Sequence, residues 1–301
     1  MSVLRDTERL PIDAARVQRN FSRVRMLDAD DFLRREVARR MMERLATIRI
    51  DASRVLDLGC GSGADFALLR ERFDGATLCG VDIARPHLAR IVVEKRSFGL
   101  SRLFGLGVGR GTGALRVNAD FAALPFAAQT VDVLWSNLAL HWSAAPHRIL
   151  PEWSRVARVG GLVAFSAFGP DTLREVVDAF ARVDRRPHVM PFTDMHDYGD
   201  MLVASGFTTP VVDMERLTLT YSSLDSLWRD VRALGGNALL DRSAGLHGRD
   251  YGRRLAEGFA PARDAEGRYR LTFELIFAHA WKGAPRTTSR GETIVRLERN
   301  R

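Results

Sequence analysis

The sequence predicts an α/β fold: a doubly wound, mostly parallel sheet of seven strands with an antiparallel edge and an inserted helical region. Three observations carry that prediction. Short apolar runs alternate with amphipathic stretches from residue 54 to residue 168. The first of these runs, "RVLDLG" (54–59), passes straight into a glycine-rich turn followed by helical spacing. Beyond residue 169 the rhythm breaks, and two β-prone runs, "TPVVDMERLTLTY" (209–221) and "YRLTFELIFAHAW" (269–281), are placed to pair antiparallel and close the sheet edge.

Taken in order, residues 30–48 read as a helix whose apolar stripe is Leu33, Val37, Met41, Leu45 and Ile48; Arg34, Arg35, Arg39, Arg40 and Arg44 read as its solvated face. The helix over 64–73 follows the first strand, and "TLCGVD" (77–82) is a buried strand ending on an acid. A helix over 85–96, a strand over 115–120 and a strand over 131–140 come next. "PHRILPEWSRVAR" (146–158) is helical despite Pro151, and "GGLVAFSAF" (160–168) is the fifth strand. Helices are expected over 171–183, over 196–207 with Gly206 as its stop, and over roughly 223–234 and 249–259. The expected division is an N-terminal helical lid (1–50), a cofactor-binding core (51–170), a substrate cap with the last strands (171–283) and a polar tail (284–301).

Composition narrows the class. A chain of 301 residues with 46% hydrophobic and 27% charged residues suits a globular enzyme. It contains no apolar run long enough to span a membrane, and its N-terminus lacks the apolar core of a secretory signal, so the cytoplasm is expected. Cys60 and Cys79, the only cysteines, imply a reducing compartment and no cysteine-rich metal site. The net charge of +8 is almost all arginine, because Lys95 and Lys282 are the only lysines. That skew is a compositional habit and gives no reason to expect a nucleic-acid partner. An acidic protein partner suits the same surface.

Two glycine-rich stretches compete for the ligand. Gly59, Gly61 and Gly63 lie between a buried strand and a helix start, where free backbone N–H groups converge. "FGLGVGRGTG" (104–113) is followed by a strand and reads as a flexible surface insertion. "GCGSGA" also satisfies the dinucleotide fingerprint, with Asp82 placed to hold a ribose, so a nicotinamide cofactor stays open on this feature alone. Three details favour S-adenosylmethionine. Asp57, two residues before the first glycine, faces an ammonium group where a pyrophosphate would be repelled. Asp120 and Phe121 offer a carboxylate for an adenine amino group and a ring to cover its face. Asn137 closes the fourth strand at the ligand mouth.

"VLDLGCGSG", "VDI", "NADFAALPF" and "WSNLALHW" resemble the motifs of class I S-adenosylmethionine-dependent methyltransferases. "SNLALHW", "FGPDTLREV", "PHVMPFTDMHDYGDMLVASGF" and "VVDMERLTLTY" more specifically resemble the BioC family, the malonyl-acyl-carrier-protein O-methyltransferases of biotin synthesis. The resemblance runs from about residue 20 to residue 281. It implies a Rossmann-like fold, S-adenosylmethionine as cofactor, malonyl-loaded acyl-carrier protein as partner, and a monomer. Asp57, Gly59, Gly61, Gly63, Asp82 with its neighbour Ile83, Asp120, Phe121 and Asn137 are the expected cofactor residues. In "FSRVRMLDADDF" (21–32), Leu27 stands before Asp28 where the family shows an aromatic residue, in a region that covers the cofactor. A related branch, the complex I assembly factors, keeps the cofactor site but hydroxylates protein arginines, and is the alternative.

A malonyl carboxylate is already ionised at neutral pH, so the reaction needs no general base. Its attack on a sulfonium neutralises charge, which a dry site favours. The chain should therefore supply hydrogen-bond donors and aromatic walls. His141 and Trp142, at the carboxyl-end rim, are candidates to orient the acceptor, and His188 is a third. His188 and His196 flank "MPFTDM", where Asp194 and Asp197 read as helix caps. Trp153, Trp228 and Trp281 read as core.

Overall fold

The computed structural model describes residues 9–23, 32–91, 114–241 and 248–284. The glycine-rich stretch 104–113, the Leu27–Asp28 pair and the chain from residue 285 lie outside these. Among the described residues, helices α1 (Ala14–Phe21) and α2 (Phe32–Arg44) precede the sheet. Strand β1 (Arg54–Leu58) is followed by α3 (Phe66–Arg72), β2 (Thr77–Asp82), α4 (Arg85–Leu88), β3 (Leu115–Asn118) and β4 (Val131–Ser136). Then come α5 (Pro146–Val156), β5 (Ala157–Phe168), α6 (Arg174–Ala181), α7 (Met195–Ala204), β6 (Phe207–Tyr221), α8 (Leu224–Ala233), α9 (Arg249–Gly258) and β7 (Tyr269–Lys282).

The strands form one seven-stranded sheet in the order β3-β2-β1-β4-β5-β7-β6. The first five run parallel, β7 joins β5 antiparallel, and β6 joins β7 antiparallel at the edge. Every residue of β4 is buried, as a strand covered on both faces requires. Val133 and Trp135 pack on one face with α2 and α6, while Leu134 packs on the other with Trp153, Phe165 and Tyr198. Among the described residues no helix is long and apolar enough to cross a membrane.

Four sequence expectations are corrected. The strand expected over 131–140 stops at Ser136, because Leu138 turns left-handed (φ +48°) and a 3-10 turn takes Leu140–Trp142. The fifth strand begins at Ala157 and not at 160; Gly160, at φ +77°, absorbs a register shift against Val131 and Val133. The third strand ends at Asn118, so Asp120 lies in the exposed turn beyond it. The arginines of α2 are not simply solvated. Arg40 reaches Glu215 at 2.5 Å and Arg44 reaches Asp213 at 3.0 Å, clamping α2 onto the edge strand, with Arg44 stacked 3.8 Å from the centre of Phe277.

Candidate active site

The chain runs outward from β1 through β2 to β3 and then returns to β4 on the other side of β1. That reversal opens a crevice at the carboxyl ends of β1 and β4, the place where doubly wound sheets bind ligands. The loops leaving the two strands nearly touch. A Cβ on Gly59 would lie 2.4 Å from the Cβ of Ala139, and Gly59 sits at φ +77°, so only glycine fits there. A cavity of about 390 Å³ fills the crevice. Its wall includes Asp57, Gly59, Gly61, Asp65, Asp82, Ile83, Asp120, Phe121 and Asn137. Gly63 does not line it. At φ +82°, with the Phe66 ring 2.9 Å from where its Cβ would be, Gly63 instead closes the turn into α3.

The electrostatics of this cavity call for a cation. Asp57 is buried, and its Oδ2 has no hydrogen-bond partner among the described residues. Burial, reinforced by the charges of Asp65 and Asp82, pushes its carboxyl well above the ordinary carboxylate range. An ammonium or sulfonium ligand relieves both the missing bond and the repulsion. Asp82 accepts from the Gly61 N–H at 2.8 Å and the Ala84 N–H at 2.7 Å, and so fixes the glycine turn against β2. A carboxylate offers about four lone-pair sites, which leaves room for ribose hydroxyls. Asp120 accepts from the Ala122 N–H at 2.8 Å, and Phe121 stands edge-on to Trp153 at 6.0 Å. The donor set and shape fit S-adenosylmethionine.

Asn137 departs from its expected role. Its Nδ2 donates to the Arg34 carbonyl at 2.9 Å, and its Oδ1 accepts from the Ser166 hydroxyl at 2.8 Å. The amide braces α2 against β4 and β5 while its flank lines the cavity. Arg34, assigned from sequence to a solvated face, also lines the cavity. The helix carries it inward from the position next to Leu33, which sequence periodicity alone does not separate from an outward one.

A second cavity, of about 650 Å³, shares the Trp142 wall with the first. His141 and His188 both line it. His141 is buried, in van der Waals range of Phe168 (centroids 4.6 Å) and Phe192 (5.7 Å). Burial drives its pKa down to about 3, so the imidazole is neutral. Its Nδ1 takes a long 3.5 Å bond from the Phe168 N–H, which assigns the proton to Nε2. That Nε2–H is buried with no partner among the described residues. The Trp142 ring meets Phe21 of α1 edge-on at 5.0 Å and lies against Gly235, where a Cβ would come within 2.4 Å.

His188 stacks on Phe180 (centroids 3.7 Å, planes 10° apart) and its Nε2 bonds Asp184 at 2.8 Å. Asp184 also accepts from the Tyr251 hydroxyl at 2.8 Å. His188 is therefore held by Asp184 on the cavity wall, away from the capping pair. Asp194 does cap α7, accepting from the His196 N–H at 2.8 Å. Trp153 is core, as expected, but Trp228 is half-buried and lines the second cavity, and Trp281 is only half-buried. Asp184 and Tyr251 carried no local signal in the sequence, since 67 positions separate them.

Comparison with known proteins agrees with this geometry. The family description "Methyltransferase domain" matches residues 56–165. The chain is 41% identical over 287 residues to the malonyl-[acyl-carrier protein] O-methyltransferase of Gallionella capsiferriformans, covering 95% of this chain and 96% of that one. It is likewise 41% identical to the protein of the same name from Laribacter hongkongensis, covering 93% of each. Among solved structures, the YcgJ protein from Bacillus subtilis shares the fold, with a TM-score of 0.55 at 16% identity over 82% of this chain and 99% of that chain. The chain belongs to the malonyl-[acyl-carrier protein] O-methyltransferase family, within the S-adenosylmethionine-dependent methyltransferases.

Proposed function

We propose that the chain esterifies the free carboxylate of malonyl-loaded acyl-carrier protein, the methylation that opens pimeloyl synthesis for biotin. One observation carries the reading to the acceptor: beside the Trp142 wall that the two cavities share, a partnerless carboxylate oxygen of Asp57 faces the first and a buried, partnerless N–H of His141 faces the second. The cofactor cavity is lined by Asp57, Asp65, Asp82 and Asp120 as well as by Arg9, Arg34 and Arg148, and of these carboxylates Asp57 is the one with a buried oxygen lacking a partner among the described residues. No Asp or Glu among the described residues lines the acceptor cavity, which instead presents His141, His188, Arg23 and Arg232. An ammonium group belongs at Asp57 and a carboxylate at the His141 N–H.

Bound beside Asp57, S-adenosylmethionine would supply an electrophilic sulfonium methyl for the acceptor carboxylate, with a neutral thioether as the leaving group. Asp57 holds the ammonium group, Asp82 the ribose, and Asp120 with Phe121 the adenine. His141 donates its Nε2–H to the carboxylate and aims it past Trp142. A neutral donor suits this task. The carboxylate loses charge in the transition state, so a cation placed on it would stabilise the ground state more and slow transfer. His188, fixed by Asp184, positions the rest of the acceptor. Residues 1–50 serve as lid, 51–170 as cofactor core and 171–283 as acceptor cap. The protein acts as a monomer in the cytoplasm, without nucleic acid.

The test incubates enzyme, S-adenosylmethionine and malonyl-acyl-carrier protein, and reads the carrier by mass spectrometry for the gain of one methylene. Growth without biotin in a host lacking this activity is the second readout. Failure of both overturns the acceptor assignment.

A further inference from the structure

The acceptor cavity is larger than its acceptor group. At about 650 Å³ it lies in the ~300–1,000 Å³ range of sites that bury a ligand of some tens of atoms, whereas a malonyl group is a three-carbon unit. Most of its wall is apolar, with Phe180, Trp228, Val231 and Leu255 among the lining residues. Something long and largely uncharged fits along that wall.

Two cations also line it, Arg23 and Arg232. Arg23 lies just past the end of α1 and Arg232 within α8, and a buried bond ties the two segments. Asn20 Nδ2 in the last turn of α1 donates to the Gly235 carbonyl just beyond α8, at 3.0 Å. Arg23 lies three residues after Asn20, and Arg232 three residues before Gly235. Both are exposed, and neither guanidinium has a carboxylate partner among the described residues. Other arginines near the sheet edge do meet carboxylates, Arg40 and Arg44 on β6 and Arg216 with Asp171, whereas what sets Arg23 and Arg232 apart is that they line this cavity. The carboxylate to be methylated is the wrong anion for the pair. Guanidinium groups would hold its full charge in the ground state and lose that interaction as the methyl transfers.

We propose that Arg23 and Arg232 form an anion subsite that receives the phosphate of the carrier's phosphopantetheine arm, with the arm lying along the apolar wall and the malonyl carboxylate at His141. The inference rests on the acyl-carrier reading above. It makes these two arginines specificity determinants: they recognise how the acyl group is carried and leave its chemistry to the inner end of the cavity. A phosphodiester keeps its charge throughout the reaction, so binding it there favours ground and transition states alike and shows in KM.

The test has two arms. In the first, calorimetry measures binding of pantetheine 4′-phosphate and of pantetheine to the full-length protein and to the R23Q/R232Q double variant. In the second, initial rates compare malonyl-pantetheine 4′-phosphate with malonyl-pantetheine. The wild type should prefer the phosphate-bearing compound by roughly tenfold in each arm, through KM and not kcat, as two charge-assisted contacts would give. The double variant should bring that ratio close to one, and the R23K/R232K variant should restore part of it. An unchanged ratio in R23Q/R232Q overturns the subsite. So does a double variant that is impaired only toward the intact carrier protein, since the arginines would then be meeting the carrier's surface. If the wild type binds pantetheine 4′-phosphate through these arginines yet methylates no malonyl thioester, the subsite stands and the acceptor reading falls.

Discussion

At the scale of single residues, Asp57 and His141 are buried for opposite ends, and each makes a pH-dependent prediction. Asp57 has its pKa raised in the fold, so the folded protein keeps this proton at a higher pH than the unfolded chain does. The stability tied to it is full below the ordinary carboxylate pKa of about 4 and is lost as pH rises through the elevated value. Asp57→Asn removes that loss. The cofactor-free variant should melt higher than wild type at pH 8 and similarly at pH 4, while the rise in melting temperature caused by S-adenosylmethionine shrinks. Equal cofactor-induced shifts in the two proteins would exclude Asp57 as the ammonium ligand. His141 runs the other way. Its pKa falls to about 3 on burial, so between about pH 6.5 and pH 3 the unfolded chain takes up a proton that the folded protein refuses, and stability drops. His141→Phe keeps a ring against Phe168 and Phe192 but removes the donor. It should flatten the acid limb of the stability profile and lower kcat roughly 10- to 100-fold through lost positioning, with the cofactor Kd preserved. A kcat within twofold of wild type would remove His141 from the acceptor site. Sequence singled out Asp57 at the end of β1 and His141 just past the expected fourth strand, five residues beyond where β4 stops. It did not tell that His141 is neutral, since that follows from Phe168 and Phe192, 27 and 51 positions away.

At the scale of elements, the end of β2 holds the glycine turn as well as the place proposed for the ribose. Asp82 accepts backbone N–H groups from both Gly61 and Ala84, so it fixes the turn before any ligand arrives. Asp82→Ala should weaken S-adenosylmethionine binding by ~2–4 kcal/mol, combining lost charge-assisted bonds with a loosened turn. Calorimetry reads this directly, and an affinity within twofold of wild type would cancel the ribose assignment. The parallel strands and their helices were legible because apolar runs of four to six residues alternate with helical spacing, a local signal. The tie between α2 and β6 was not. Arg44 and Asp213 are 169 positions apart, and an arginine on a helix face looks the same whether it meets water or a distant carboxylate. Asn137 does line the cofactor cavity as its strand-end position predicts, but its bonds to Arg34 and Ser166, distant in sequence, were illegible for a similar reason.

At the scale of the whole molecule, one short helix joins the two cavities. Residues Ala14, Val17 and Phe21 of α1 line the cofactor cavity, while Asn20 lines the other and bonds the Gly235 carbonyl. The segment is further tied by Arg16 to the Leu239 carbonyl at 2.8 Å and by the Asp13 N–H to the Ala238 carbonyl at 2.8 Å. Asn20→Ala leaves a buried carbonyl unmatched, at a cost of about 1–3 kcal/mol, and should loosen this shared cover. Affinity for S-adenosylhomocysteine and the KM for the acceptor should therefore worsen together. A change confined to one ligand would show that the cavities are covered independently. The sheet order has a consequence of another kind, for how the chain is made. Strand β7 lies between β5 and β6, so β6, with its thirteen paired positions, has nothing to pair with when it leaves the ribosome. Until residues 269–282 follow, β5 has an open flank and β6 a bare backbone, the state in which strands of neighbouring nascent chains join. The helices α8 and α9, made in that interval, set how long the chain must be sheltered before its sheet can shut.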